Sequence, residues 1–194
     1  MVTTVYPGNN SKKEYFLIHG YTGSPTDFNE LPQYLRARYK VDVKIILLQG
    51  HGAKIEDLDH LEFNDFLQQA KEELKKDLQK YDEIILGGVS FGAELALILS
   101  AQFPVKGVFT VSLPYKLKFP FNIPGVELLA QYKKYWKKII PKHEKELRQN
   151  TFYYEAMHVN ILKIMRKANH ELRNALPKIQ CPVLTIASTH DPIG

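Results

Sequence analysis

The sequence predicts an α/β fold in which helices cover both faces of a parallel sheet. Short apolar runs typical of buried strands recur along the chain, at residues 15–19, 43–48, 83–87, 107–111 and 183–187. Segments with apolar residues at helical spacing lie between several of these runs. Strands that are apolar throughout and alternate with helices are typical of a sheet buried on both faces. With 194 residues and 44% hydrophobic content, the chain can bury one sizeable core.

The helices are predicted from the spacing of their apolar residues and from their caps. Either Thr26 or Asp27 can cap the first helix, which would carry Phe28 and Leu35 on its buried face. Residues 61–80 are predicted to form the second helix. Its outer face alternates Lys with Glu or Asp, which is typical of a solvated helix surface.

A Gly-x-Ser-x-Gly motif at residues 88–92 joins the strand at 83–87 to a helix-like run at 93–99. A strand, a tight turn with this motif and a helix make up the nucleophile elbow of serine hydrolases. Such a turn holds its serine, here Ser90, in an unfavourable backbone conformation, and the flanking glycines avoid clashes with neighbouring chain. The Ser90 Oγ would then be exposed at a helix N-terminus, whose dipole favours developing negative charge.

An acyl-transfer serine also needs two oxyanion donors, a general base and an acid that orients the base. The backbone N–H of Phe91, directly after the serine, is the first candidate donor. The loop 19–23 follows an early strand, where Gly20 would let the chain turn and the Tyr21 N–H point toward the site. The His19 ring is interpreted as satisfying buried backbone groups.

The alternation of strands and helices stops within residues 114–177. Apolar residues at helical spacing predict one helix that contains Trp136 and another over about 151–176. An all-helical insertion between two strands is interpreted as a lid over the carboxyl edge of the sheet, where ligands bind in open α/β sheets. The predicted domains are a core of residues 1–113 and 178–194 and a helical cap of residues 114–177.

The net charge of +5 is concentrated in this insertion. Nine Lys or Arg residues stand against three Glu residues within 115–148, so this segment accounts for the whole positive excess. The apolar spacing within the segment argues against a nucleic-acid partner, and none is predicted. Two interpretations of residues 128–140 stay open: a lid helix with solvated lysines, or an interfacial helix that makes weak contact with a membrane surface.

Composition narrows the protein class further. No apolar run approaches the roughly 20 residues needed to cross a bilayer, and the N-terminus lacks the features of a signal peptide. Cys181 is the only cysteine, which excludes an intrachain disulfide and agrees with a reducing compartment. We therefore expect a cytoplasmic protein. The chemistry expected of the serine site needs no metal or organic cofactor, and none is predicted.

Four motifs occur together along the chain: His-Gly-Tyr-Thr-Gly at 19–23, Gly-His-Gly at 50–52, Gly-Val-Ser-Phe-Gly at 88–92, and the segment 181–191, which ends in Ser-Thr-His-Asp. Together they resemble the α/β-hydrolases of the bacterial carboxylesterase and monoacylglycerol lipase type, from about residue 14 to the last residue. The resemblance implies Ser90 as the nucleophile, Asp191 as the acid of a catalytic triad, and a small cap where the insertion lies.

The resemblance also implies a general-base histidine after the acid, on a loop that follows one more strand. We expect that strand, the histidine and a closing helix beyond Gly194, so the chain alone is expected to be weakly active or inactive. Histidines within the chain are not predicted as the base. His190 is adjacent to Asp191, and neighbouring side chains at a strand end diverge. His51 belongs to a loop that shapes the pocket floor in this family.

The predicted function is hydrolysis of short- to medium-chain acyl esters through an acyl-enzyme on Ser90, with monoacylglycerols among the candidate substrates. The amides of Tyr21 and Phe91 would hold the oxyanion, and Gly20, Tyr21, Phe91 and Trp136 are the candidate substrate-binding residues. Three alternatives stay open: a thioesterase, a carbon–carbon bond hydrolase on the same fold, and a non-catalytic binder that keeps the pocket. The sequence does not predict an oligomeric state.

Overall fold

The computed structural model describes residues 2–8, 11–116, 134–138 and 152–189. The strands in these residues are β1 (Thr4–Tyr6), β2 (Lys13–Ile18), β3 (Asp42–Ile46), β4 (Glu83–Val89), β5 (Gly107–Val111), β6 (Tyr135–Lys137), β7 (Ala156–His158) and β8 (Val183–Ile186). The α-helices are α1 (Leu31–Tyr39), α2 (Phe63–Asp77), α3 (Phe91–Ser100) and α4 (Ile161–Ala175).

The main sheet has the strand order β1-β3-β2-β4-β5-β8. All neighbouring pairs are parallel except β1 with β3, which is antiparallel. The predicted parallel sheet is confirmed, and each predicted strand ends within two residues of the observed one. β1 was not predicted, because three residues at a sheet edge are too few to show a periodic pattern.

Helices cover both faces of this sheet. Alternate residues of β2 point to opposite faces, so Phe16 and Ile18 enter one apolar core and Leu17 enters the other. The larger core lies beneath α2, α3 and α4, and every residue of α3 is buried. The smaller core lies beneath α1, with Leu35 and Phe28 buried in it as predicted. The strand order reverses at β2, which neighbours both β3 and β4.

The first predicted helix starts later than its sequence suggested. α1 begins at Leu31, and Pro25–Phe28 form a separate 3₁₀ turn. Ser24 caps that turn by accepting the Thr26 N–H at 3.2 Å. The predicted caps, Thr26 and Asp27, are therefore wrong. Ser, Thr and Asp can all cap a helix, and their closeness in this segment left the choice to tertiary packing.

The described part of the insertion contradicts an all-helical cap. β6 and β7 form an antiparallel hairpin in which Trp136 lies opposite Met157. The following helix, α4, begins at Ile161 and not near residue 151. Aromatic residues favour a strand when a partner strand is available, and β7 supplies that partner to Tyr135 and Trp136. Residues 117–133 and 139–151 lie outside the described residues.

The hairpin also removes the basis for an interfacial helix over residues 128–140, since Tyr135–Lys137 are extended. Lys134, one of the lysines expected on the solvated face of that helix, forms an ion pair with Asp59 instead. Among the helices that the structure describes, none combines the length and apolar content needed to cross a membrane.

A buried cluster of charges joins the sheet to α2. Lys44 Nζ lies 2.6 Å from Asp77 Oδ2 and 2.8 Å from Glu73 Oε2. Glu14 is only 2% exposed near this cluster, and its Oε2 has no hydrogen-bond partner in the described part of the chain. Burial and then the negative charge of Asp77 raise the pKa of Glu14 to about 8, although Lys44 opposes the shift.

We expect Glu14→Gln to stabilise the protein, and to do so increasingly as pH rises. The carboxyl group ionises near pH 4.5 in the unfolded chain and near pH 8 in the folded one, so the folded state holds an extra proton between these values. The free energy of unfolding of the wild type therefore falls as pH rises through this window. The Glu14→Gln variant, whose amide does not ionise, does not lose stability in this way. Urea unfolding of both proteins at about pH 4 and about pH 9 measures the difference. A stability difference that stays constant with pH would contradict the assignment.

Candidate active site

Ser90 occupies the turn between β4 and α3, with φ 53° and ψ −118°. A residue with a Cβ seldom adopts this conformation. The turn is held on both sides: the Ser90 N–H donates to Val111 O at 2.9 Å, and Ser90 O accepts the Ala93 N–H at 2.9 Å. The residue is half-buried. Strain of this kind persists where the surroundings enforce it, which is common at functional sites.

Two glycines of the motif are required by close backbone approach. A Cβ on Gly88 would overlap the backbone of Gly92, and a Cβ on Gly92 would overlap the carbonyl oxygens of Ile18 and His19. The two glycines therefore let α3 start directly against the end of β2. This agrees with the close passage of chain that the motif predicted.

The loop after β2 passes beside the serine. Ile18 pairs with Gly88 in the register of β2 and β4. A Cβ built on Gly20 would lie 3.6 Å from the Ser90 Cβ, an ordinary van der Waals contact. The strand order reverses at β2, and in open α/β sheets ligands bind at the carboxyl ends of the strands where such a reversal occurs. The structure thus brings Gly20 next to Ser90.

The rings of Tyr21 and Phe91 hold the two chain segments together. Both residues are buried, and their rings pack edge to face with centroids 5.7 Å apart. Phe66 of α2 contacts both rings, at 5.9 Å from Tyr21 and 5.5 Å from Phe91. Edge-to-face pairs of this kind stabilise beyond the area that they bury. They fix the spacing between the backbones of Tyr21 and Phe91.

The backbone N–H groups of Tyr21 and Phe91 have no hydrogen-bond acceptor among the residues that the structure describes. Most buried N–H groups in proteins are paired, so two unpaired ones near one side chain call for an explanation. Phe91 is the first residue of α3, where N–H groups lack a helical partner and the helix dipole is positive. The arrangement can therefore accept negative charge that develops on a group bound at Ser90.

Two side chains hold this loop, the buried His19 and the half-buried Asp27. The His19 Nδ1 donates to Gly20 O at 2.8 Å, and its Nε2 accepts the Leu48 N–H at 3.1 Å. The prediction that His19 satisfies buried backbone groups is confirmed. Sequence reasoning missed that Asp27 holds the loop. Its carboxylate accepts the N–H groups of Gly20 at 3.1 Å and Ser24 at 3.4 Å. The capping-box spacing of Ser24 and Asp27 was the signal available in the sequence.

Two further residues were predicted to belong to the site, Asp191 and Trp136. Asp191 lies outside the described residues. β8 ends at Ile186, paired with Val111 of β5, so the chain leaves the sheet at the same edge as Ser90. Trp136 lies on β6, half-buried against the larger apolar core. In the described ranges, no group of three or more His, Cys, Asp or Glu side chains is placed to hold a metal ion.

The β6–β7 hairpin is fastened to the loop after β3 through Asp59. The Tyr135 hydroxyl donates to Asp59 Oδ1 at 2.8 Å, and Lys134 Nζ pairs with Oδ2. His158 Nε2 lies 3.1 Å from Oδ1. Burial alone would raise the pKa of Asp59, but the hydrogen bonds from Lys134 and Tyr135 outweigh it and lower the pKa. One carboxylate therefore anchors both strands of the hairpin.

Tyr154 makes a second attachment, between the hairpin and the loops near Ser90. Its hydroxyl donates to Gly50 O at 2.9 Å, and its N–H donates to Thr22 O at 3.0 Å. Lys138 Nζ also donates to Thr22 Oγ1. The described part of the insertion is thus tied to the loop that contains Tyr21 and to the Gly-His-Gly loop.

We expect Asp59→Ala to loosen the hairpin while the main sheet stays folded. The substitution removes the acceptor shared by Lys134 and Tyr135, and leaves the half-buried hairpin fewer contacts with the core. Hydrogen exchange by mass spectrometry should show faster exchange in residues 134–138 and 156–158. Glu62→Ala is the matched control, because its ion pair with Lys163 is largely exposed. Equal exchange in Asp59→Ala and the wild type would contradict the anchoring role.

Comparison with known proteins identifies a family and several relatives that this chain resembles. The model of the alpha/beta hydrolase family matches residues 15–194. A carboxylesterase of Bacillus subtilis (strain 168) is 27% identical over 187 residues, which cover 92% of this chain and 72% of that protein. A thermostable monoacylglycerol lipase of Bacillus sp. (strain H-257) is 25% identical over 179 residues, which cover 91% of this chain and 70% of that protein.

A solved structure gives the same fold. It comes from work on LipS and LipT, two metagenome-derived lipolytic enzymes, and superposes with a TM-score of 0.83 at 20% sequence identity, covering 99% of this chain and 77% of that one. The resemblance inferred from the four sequence motifs is confirmed, as is the mostly parallel sheet flanked by helices. Because the family model spans nearly the whole sequence, the protein belongs to the alpha/beta hydrolase family.

Proposed function

We propose that the protein is a serine esterase that hydrolyses short- to medium-chain acyl esters, with monoacylglycerols among its substrates. The observation that carries the proposal is the strained turn at Ser90 beside the unpaired N–H groups of Tyr21 and Phe91. A turn of this shape, which we take to be a nucleophile elbow, presents the serine oxygen at a sheet edge. The two amides are the donors that a tetrahedral oxyanion requires.

In the proposed reaction, the Ser90 Oγ attacks the ester carbonyl carbon and its proton passes to a general base. The carbonyl oxygen becomes an oxyanion that accepts hydrogen bonds from Tyr21 and Phe91. The carbon–oxygen bond to the alcohol then breaks, and the alcohol takes the proton from the base. Water, activated by the same base, attacks the acyl-enzyme, releases the acid and returns the proton to Ser90.

The base in this proposal is the histidine that the family resemblance implies beyond Gly194, with Asp191 as its orienting acid. The direction of β8 supports the acid role, because the chain after Ile186 emerges at the edge where Ser90 lies. His19 and His51 are poorly suited to be the base. Both are buried with each ring nitrogen close to a backbone group, and burial lowers the pKa of both imidazoles.

The substrate class rests on the relatives and on the apolar surroundings. The carboxylesterase and the monoacylglycerol lipase both cleave carboxylic esters, as their names state. We propose residues 114–177 as a cap over a core of residues 1–113 and 178–194. In this arrangement Trp136, together with Gly20, Tyr21 and Phe91, lines the side of the site that receives the acyl chain.

Labelling with a fluorophosphonate probe, applied to protein that includes the proposed base after Asp191, tests the serine mechanism directly. We expect one covalent adduct, on Ser90, located by peptide mass spectrometry, and no adduct in Ser90→Ala. Folded protein that fails to label, or that labels on another serine, would overturn the proposal. Failure to label with an intact fold would favour a binding protein that keeps the hydrolase frame.

Parallel assays with p-nitrophenyl esters and acyl thioesters of matched chain length test the substrate class. We expect a higher kcat/KM for the oxygen esters, with chains of about four to eight carbons preferred over long ones. A preference for thioesters would replace the esterase with a thioesterase on the same fold.

A further inference from the structure

Two buried histidines, His19 and His51, lie directly behind the loop that carries the proposed oxyanion donor Tyr21. His19 directly follows β2, and His51 lies in the loop after the adjacent parallel strand β3; the two residues are 0% and 5% exposed. Their rings pack edge to face with centroids 4.9 Å apart. Neither ring takes part in the proton transfers described above.

The His19 ring controls the peptide group between Gly20 and Tyr21. Leu48 N–H can only donate, so the Nε2 that it contacts at 3.1 Å carries no proton. The ring is neutral because burial, and then the neighbouring His51, lower the pKa of His19 to about 3. Its proton is therefore on Nδ1 and is donated to Gly20 O at 2.8 Å. The Gly23 N–H donates to the same oxygen at 3.1 Å.

The direction of the Tyr21 amide follows from this bond. A peptide group is planar and trans, so its N–H points opposite to its carbonyl oxygen. With Gly20 O held in the interior by His19 and Gly23, the Tyr21 N–H is turned the other way. That orientation explains why this amide finds no acceptor among the described residues, whereas the N–H groups of Gly20 and Gly23 do.

The His51 ring holds the next peptide group along the chain. Its Nε2 contacts Tyr21 O, and its Nδ1 lies 3.0 Å from Gln49 O. A neutral ring has one proton for these two carbonyls. We assign it to Tyr21 O, because Tyr21 is buried whereas Gln49 is partly exposed and its carbonyl can bond to water instead. The carbonyls on both sides of the Tyr21 amide, those of Gly20 and Tyr21, are therefore each bonded to an imidazole.

We propose that His19 and His51 are paired positioning residues that hold the Tyr21 N–H in the orientation of an oxyanion donor. The inference rests on the proposed esterase function and goes further by assigning the orientation of one donor to two residues outside the triad. The two rings carry opposite tautomers, with the proton on Nδ1 in His19 and on Nε2 in His51. Because burial lowers the pKa of both rings below the ordinary 6.5, both are neutral above pH 7, and this histidine clamp (His19 and His51) keeps its form there.

Nitrogen-15 NMR of the histidine-labelled wild-type protein tests the clamp without any catalytic readout. We expect a protonated Nδ1 and a bare Nε2 in His19, and the reverse in His51, with both rings neutral between about pH 7 and pH 8. The opposite tautomer in either ring, or titration of either ring in this range, would overturn the clamp.

Kinetics of two His51 variants, made in protein that includes the proposed base, then test the effect of His51 on the reaction. His51→Leu removes the donor to Tyr21 O, and His51→Gln keeps a donor near the same place. We expect kcat on p-nitrophenyl butyrate to fall about 10- to 100-fold in His51→Leu with KM changed by less than about threefold, and to recover most of that loss in His51→Gln. Equal losses in both folded variants, or no loss in either, would overturn the positioning role.

The two measurements separate the clamp from the enzyme. If the wild-type protein shows both tautomers but neither labels with fluorophosphonate nor hydrolyses esters, the clamp stands and the proposed function fails. If esters are hydrolysed but a tautomer is reversed, the function stands and the clamp fails. Should His51→Leu not fold, the tautomers of the wild-type rings decide the question.

Discussion

Replacing Ser90 with glycine is expected to abolish ester hydrolysis and, at the same time, to increase the free energy of unfolding. The loss of activity follows from removal of the nucleophile, which in a serine hydrolase costs several orders of magnitude in kcat. The gain in stability follows from the backbone. Ser90 is held at φ 53° and ψ −118°, a region where a Cβ is strained and glycine is not.

The size of the stability gain can be bounded. Relief of a strained conformation contributes about 1–3 kcal/mol, and the extra freedom of glycine in the unfolded chain costs about 0.5–1 kcal/mol. Ser90 makes no side-chain capping bond to α3 that the substitution would remove. We therefore expect a net gain of about 1 kcal/mol, or a rise in Tm of about 2–4 °C.

Ser90→Ala is the matched control for this experiment. Alanine also lacks the nucleophile but keeps the Cβ, so it should lose activity without gaining stability. Thermal unfolding of the three proteins, with activity measured on the same samples, distinguishes the two effects. A glycine variant that is less stable than the alanine variant would show that the turn is not strained, and would remove the main structural reason for assigning the nucleophile here.

The sheet was predictable from the sequence because its central strands are buried on both faces. A run such as residues 107–111 is apolar apart from Thr110, which is typical of a parallel strand covered on both faces. The same reasoning located the turn at Ser90, since the two flanking glycines, a strand before them and a helix after them constrain one another. Local pattern and tertiary structure agree in these segments.

The hairpin and the clamp could not be predicted in the same way. Tyr135 and Trp136 fit a helical repeat, and only the presence of β7 as a partner makes the strand more favourable. His19 was interpreted as a ring that satisfies backbone groups, but the sequence could not tell which ones. The partners, Gly20 O and Leu48 N, belong to loops that meet only after β2 and β3 have paired.

Replacing Gly92 with alanine is expected to destabilise the protein by about 3 kcal/mol or more, although it lies in a helix. In an exposed helix the same change stabilises by about 1 kcal/mol, because alanine is the better helix former. At Gly92 the new Cβ would overlap the carbonyl oxygens of Ile18 and His19. These are backbone atoms at the end of a central strand, so no side-chain rotation can relieve the contact.

The same substitution should also disturb the site, because α3 can make room only by moving away from β2. That movement separates the Phe91 N–H from the Tyr21 N–H, so kcat should fall further than the loss of folded protein explains. Gly107→Ala is the matched control: a Cβ there meets Pro182 O at 3.5 Å, an ordinary contact, and both stability and kcat should change little. Urea unfolding and kcat of the two variants measure the contrast. If Gly92→Ala were as stable and as active as Gly107→Ala, the close packing of α3 on β2, and with it the proposed pairing of the two oxyanion donors, would have to be abandoned.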